Sequence, residues 1–162
     1  MDHFWRNIRK KKHGGIRELL RGIPLFEQLT EGELSGIERI LHERTYAPDE
    51  EVFREGEPGI AMYIIESGTV LIEVGKDHKV IAELHEGEFF GELALLDESP
   101  RSATAAAKAN SKIFAFSQPD LFALMERKPH LGLKIVVALA RIIGERLKHM
   151  NEQLQTMPGT VK

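Results

Sequence analysis

AMYIIESGTVLIEVGKDHKVIAEL, residues 61–84, carries no helical period. Its apolar residues come in short runs rich in Ile and Val, side chains that suit a pleated, half-buried surface. Gly68, Gly75 and the polar Lys76-Asp77-His78 break those runs where the chain must turn sharply. The spacing predicts strand, turn, strand, turn, strand. Further on, SATAAAKANSKIFAFS (102–117) repeats the pattern, with Ala109-Asn110-Ser111 as its turn. Short strands punctuated in this way over about 45–117 predict a sandwich or barrel.

Helical patterns flank this zone on both sides. FWRNIRKKKHGG (4–15) reads as a short amphipathic helix stopped by Gly14-Gly15, since each glycine costs a helix roughly 1 kcal/mol. IRELLRGIP (16–24) ends at Gly22 and Pro24. Thr30 followed three residues later by Glu33 is a capping box, and Leu34, Ile37, Ile40 and Leu41 then recur at helical spacing. After the strands, Ser117 caps a helix with Pro119 near its start, and Lys128-Pro129 breaks it. A long helix follows. In it Val136, Ala140, Ile143, Leu147, Met150 and Leu154 stand 4, 3, 4, 3 and 4 residues apart, a heptad seam. From Val136 to Ile143 the seam has two readings, a face packed on the barrel or a face turned to a second copy. Within the polar stretch GERLKHMNEQLQ (144–155) it reads as an intersubunit seam, which predicts a homodimer. TMPGTVK, at the end, reads as a frayed, disordered tail over 156–162.

With 162 residues, 42% of them apolar and 29% charged, the chain suits one well-cored domain. Its net charge of −3 lacks the basic bias of nucleic-acid binders. The charge is uneven, however. Arg6, Arg9, Lys10, Lys11, Lys12, Arg17 and Arg21 face one acid, Glu18, over the same interval. With Phe4, Trp5 and Ile8 among them, this segment is open to four readings: contact with an anionic membrane, docking on a partner, a solvated run ahead of the domain, or a linker through which the module works in an assembly. The absence of cysteine excludes disulfides and thiol chemistry and fits a reducing compartment. There is no apolar signal segment and no apolar run long enough to span a bilayer, so a cytoplasmic location is expected. Seven scattered histidines lack metal-site spacing, and no nucleophile–base arrangement is present. The expectation is a protein that is not an enzyme and needs no metal or cofactor.

EGEFFGELALLDESPRSATAAA (86–107) is where chemistry concentrates. A short helix from Glu92 to Leu96, entered through Gly91, presents its first N–H groups and the positive end of its dipole. Such an end takes an anion, and a glycine lets the ligand approach the backbone. Arg101 returns a fork of N–H donors to the same point, and Ser102 adds a hydroxyl. Glu92 would repel a phosphate, yet an ionised carboxylate accepts hydrogen bonds from hydroxyls. A sugar hydroxyl beside a phosphate satisfies both residues. The combination points to a nucleotide.

FGELALLDESPRSATAAA resembles the phosphate-binding cassette of the cyclic nucleotide-binding domain family, to which the catabolite activator protein and the regulatory subunits of protein kinase A belong. Gly91, Glu92, Leu93, Ala94, Leu95 and Leu96, then Pro100, Arg101, Ala103 and Thr104, stand at the family's spacing, and Gly56, Gly59 and Gly68 fall at its turns. The resemblance covers about residues 23–154. It implies a mainly β fold, an eight-stranded jelly roll (a double-stranded β-helix) with N-terminal helices and a long C-terminal helix. It further implies that Glu92 accepts from the ribose 2′-hydroxyl and Arg101 pairs with the phosphate. Backbone N–H groups of Gly91, Glu92 or Ala94, and of Ser102 or Ala103, would complete a cradle that Leu93 borders.

In the family the C-terminal helix closes over the base, and here Arg146 and Leu147 are the matching candidates for base contacts. Ser102, directly after the arginine, stands where a catabolite-activator-like adenine binder also has Ser, which implies cAMP ahead of cGMP. The domain plan is then a basic helical segment over 1–22 and the nucleotide-binding domain over 23–155, with its C-terminal helices over 118–155. The family's transcription factors continue into a winged helix-turn-helix; no DNA-reading element is expected here. The expected function is a regulatory sensor that signals to an effector protein through its C-terminal helix. The alternative is a β-roll that docks or dimerises and has lost or changed its ligand.

Overall fold

Tyr63 and Ile65 turn to one face of their strand and Met62 and Ile64 to the other, and all but Tyr63 are fully buried. A strand buried on both faces must lie between two layers, and this one does. The computed structural model describes residues 14–156; the basic helix expected ahead of Gly14-Gly15 lies outside that range, as does the tail expected over 156–162 save for Thr156, which ends the last helix. The described residues form eight strands: β1 His42–Tyr46, β2 Glu51–Phe53, β3 Ala61–Ser67, β4 Thr69–Val74, β5 Lys79–His85, β6 Phe89–Phe90, β7 Thr104–Ala107 and β8 Ser111–Ser117. They make two four-stranded antiparallel sheets, ordered β1-β8-β3-β6 and β2-β7-β4-β5. This is the expected eight-stranded roll.

One cluster fills the roll between the sheets: Ile65, Val70, Leu84, Phe90, Ala105 and Ile113, with Phe53, Tyr63 and Ile72 against it. A second lies on the outer face of the β1-β8-β3-β6 sheet, where Met62, Ile64, Phe89, Phe114 and Phe116 meet the helices. Neighbours Phe89 and Phe90 thus belong to different cores, as the period of two in a strand requires.

The β3–β4 turn depends on Gly68. Its φ is 97°, and a Cβ there would stand 2.2 Å from Ser111 Oγ and 2.6 Å from the Asn110 carbonyl oxygen. That approach is what lets the Thr69 N–H donate to Ser111 Oγ at 3.1 Å, joining the β3–β4 turn to the start of β8.

The helices are α1 Ile16–Arg21, α2 Glu31–Ile40, α3 Gln118–Arg127 and α4 Pro129–Thr156. Both halves of the capping box on α2 form: the Glu33 N–H donates to Thr30 Oγ1 at 3.3 Å, and the Thr30 N–H to Glu33 Oε2 at 2.8 Å. On α3 the Asp120 N–H donates to Ser117 Oγ at 3.2 Å. Leu19 and Leu20 of α1 are fully buried in the same core as Phe26, Ile37 and Phe116, so α1 packs as part of the domain. From α4 come Leu131, Ile135, Ala138, Leu139 and Ile142. Among the described residues no helix is long and apolar enough to cross a membrane.

Candidate functional site

Between β6 and β7 the chain makes a single 3-10 turn, Glu92–Leu95, which is shorter and tighter than the helix read from the sequence. Gly91 enters it in the left-handed region at φ 74°, and a Cβ there would lie 2.6 Å from Arg101 Nη1. Glycine is needed at this point both for its torsion and for its missing side chain. Ala94 donates its N–H to the Gly91 carbonyl at 3.2 Å, so the turn itself takes one of the three N–H groups assigned to the cradle on this side. The N–H groups at the start of a helix have no acceptor within it, which leaves Glu92 and Leu93 as the donors this turn presents.

Arg101 is held from several sides. Its backbone N–H donates to the Glu57 carbonyl at 2.7 Å, and its carbonyl accepts from the Gly56 N–H at 2.8 Å. The guanidinium lies 4.0 Å from the Phe53 ring centre and 5.7 Å from that of Tyr63. Nη2 donates to the Ala61 carbonyl at 2.6 Å and Nη1 to the Gly91 carbonyl at 3.3 Å. Nε is buried without a hydrogen-bond partner. Burial pulls the Arg101 pKa below its usual value, with Tyr63 opposing that shift. A guanidinium fixed by two carbonyls and an aromatic face is an oriented cation with donors to spare.

These elements enclose a cavity of about 400 Å³. One wall is apolar, made by Phe53, Ile72, Ile81, Ala82 and Leu84; the other is the run Gly91 to Ala94 with Arg101, Ser102 and Ala103. Glu92 is 3% exposed and Arg101 9%. The seven cassette residues named from the sequence therefore border one space, together with Arg146. That residue reaches in from α4 and forms an ion pair with the Glu92 carboxylate, its guanidinium 5.6 Å from the Phe89 ring centre. The sequence reading offers Arg146 to a base; what the structure puts against it is Glu92. Leu147, offered with it, is 58% exposed and does not border the cavity. Sequence reasoning misses the aromatic bed of Phe53 and Tyr63 and the aliphatic wall from β4 and β5. Their alternating pattern marks them as inward-facing, but nothing local says what they face.

The family model for the cyclic nucleotide-binding domain matches residues 43–128. This chain belongs to the cyclic nucleotide-binding domain family. The match takes in the roll, the cassette and α3. Among relatives, a cyclic AMP receptor protein of Thermus thermophilus is 33% identical over 129 residues, which is 78% of this chain and 60% of that one. A cyclic nucleotide-gated potassium channel of Rhizobium etli is 32% identical over 129 residues, 80% of this chain and 36% of the other. The chain thus spans only part of the length of these relatives. The crystal structure of the Thermus thermophilus catabolite activator protein superposes with a TM-score of 0.72 at 32% identity, over 82% of this chain and 62% of that one. A cyclic nucleotide-binding domain from Methylobacillus flagellatus superposes at 0.74 over 90% and 85%, with 23% identity, and speaks to the fold. The family is one of cyclic nucleotide-binding regulatory domains, and in this chain a buried carboxylate and a buried guanidinium border one cavity.

Proposed function

We propose that this chain is a cyclic nucleotide sensor that binds cAMP in preference to cGMP and signals to an effector protein through α4, as a homodimer. One observation carries the reading: a buried carboxylate and a buried, oriented guanidinium border a single cavity whose opposite wall is aliphatic. Glu92 takes the ribose hydroxyl, Arg101 the cyclic phosphate, and the apolar wall the face of the purine. The preference for cAMP rests on Ser102 and on the relative named for cAMP. The test is thermal melting with each nucleotide, followed by calorimetric titration. A ligand at 100 times its dissociation constant stabilises the folded state by about 2.7 kcal/mol, so cAMP should raise the melting temperature at lower concentration than cGMP. A melting temperature unmoved by either nucleotide would favour the docking reading instead.

The output surface in this reading is α4. Ile135, Leu139 and Ile142 face the core, and the seam read from the sequence lies one position round the helix. Val136 and Ile143 are half-buried on the domain; Leu147, Met150 and Leu154 are 58%, 59% and 66% exposed. Three large apolar side chains on one exposed stripe fit a helix pairing with its own copy. Replacing Leu147 and Leu154 together by Glu should convert the dimer to monomer in sedimentation. A dimer that survives this change would place the interface elsewhere.

A further inference from the structure

A carboxylate buried beside an anion site poses an electrostatic problem, because Glu92 would repel the phosphate that Arg101 attracts. The ion pair across the cavity answers it. Arg146 Nη1 contacts Glu92 Oε1, joining α4 to the turn between β6 and β7, and the two side chains are only 21% and 4% exposed. We propose that Arg146 is a positioning residue of the nucleotide site: it cancels the charge of Glu92, fixes its carboxylate for the ligand hydroxyl, and leaves Arg101 to face the phosphate unopposed. This rests on the reading of the cavity as a cyclic nucleotide site.

Charge and geometry agree on this role. Glu92, Arg101 and Arg146 together carry one net positive charge, which matches the one negative charge of a cyclic phosphodiester. Asp97, the other acid bordering the cavity, is exposed and screened by water. A carboxylate has two oxygens with lone pairs for about four hydrogen bonds, so an arginine on Oε1 leaves Oε2 with capacity for a hydroxyl. Burial lowers the Arg146 pKa to about 10, which still keeps it a cation at neutral pH. Because the counter-charge sits on α4, the charge balance of the site depends on where that helix lies. A helix displaced from the roll leaves Glu92 uncompensated and the cavity less hospitable to the anion; by linkage, the anion favours the docked helix.

The test is a double-mutant cycle with cAMP and cGMP titrated calorimetrically against the unmodified chain, Arg146→Gln, Glu92→Gln and the double variant. Arg146→Gln should weaken binding on the order of 30-fold, the scale for removing one partner of a buried charge pair. The double variant should bind more tightly than Arg146→Gln alone. In it the uncompensated carboxylate has gone, and the amide oxygen brought in by Glu92→Gln still accepts a hydroxyl. A role in packing alone predicts no such rescue. Melting without nucleotide gives a second readout: the double variant should melt above Arg146→Gln. Unchanged or tighter binding by Arg146→Gln, or additive losses in the cycle, would overturn the proposal; tighter binding would make Arg146 a competitor for Glu92. If the unmodified chain binds neither nucleotide, the reading of the cavity fails and this role with it, whereas a failed cycle in a chain that binds leaves that reading standing.

Discussion

Arg101→Ala should weaken cyclic nucleotide binding by about 3 kcal/mol, on the order of 100-fold. The guanidinium has five N–H donors. Two are committed to the Ala61 and Gly91 carbonyls and hold the plane over Phe53 at 4.0 Å. Those bonds orient the group before any ligand arrives, so little ordering remains to be done on binding. Arg101→Lys separates charge from geometry. A lysine keeps the positive charge but has no planar fork, so it cannot brace itself on both carbonyls and still offer paired donors to a phosphate. It should fall between the native residue and alanine. Titration calorimetry with each nucleotide checks both variants, and affinity unchanged in Arg101→Ala would remove this residue from the site. Both variants should fold at some cost in stability, because Arg101 belongs to neither hydrophobic cluster but lies on Phe53 and pairs with the Ala61 and Gly91 carbonyls.

The largest loss of stability is expected at Phe116. This ring is fully buried, edge-on to Phe26 with centroids 6.0 Å apart, and it belongs to the core that joins the helices to β3 and β8. Phe116→Ala should cost about 3–5 kcal/mol through lost burial and the void left behind. For a chain of this size that corresponds to a fall in melting temperature on the order of 10 °C. Phe116→Leu, which keeps most of the volume, should cost markedly less. Equal losses in the two variants would mean that the site collapses around the smaller residue, and that packing at Phe116 does not hold the helical layer to the sheet.

Local signals carried much of this fold. The capping box at Thr30 and Glu33, the Ser117 cap, the break at Lys128-Pro129 and the glycine turn at Gly68 depend on atoms a few residues apart, so they are legible from spacing and side-chain chemistry. The cassette is legible for a similar reason: Gly91, Glu92 and Arg101 lie within eleven consecutive positions. The length of the turn was less so. A 3-10 turn at Glu92–Leu95 stands where the sequence reads a helix from Glu92 to Leu96; Leu95 is buried in the core formed with the helices, and Leu93 and Leu96 stay exposed.

By itself, then, the sequence determined the strands and turns over 61–84 and 102–117, the flanking helices and the residue types of a nucleotide cassette, while the count of eight strands came from the family resemblance. The tertiary structure alone decided what those residues meet. Which stripe of α4 goes inward depends on the register of a long helix on the roll, and one position separates the buried Ile135 and Leu139 from the seam at Val136 and Ala140. Arg146 lies 54 residues from Glu92, Phe53 lies 48 from Arg101, and neither pairing leaves a trace in local periodicity. Contacts of that span are set by how layers pack. The carboxylate of Glu92 is legible in the sequence; the arginine that pairs with it comes from the fold.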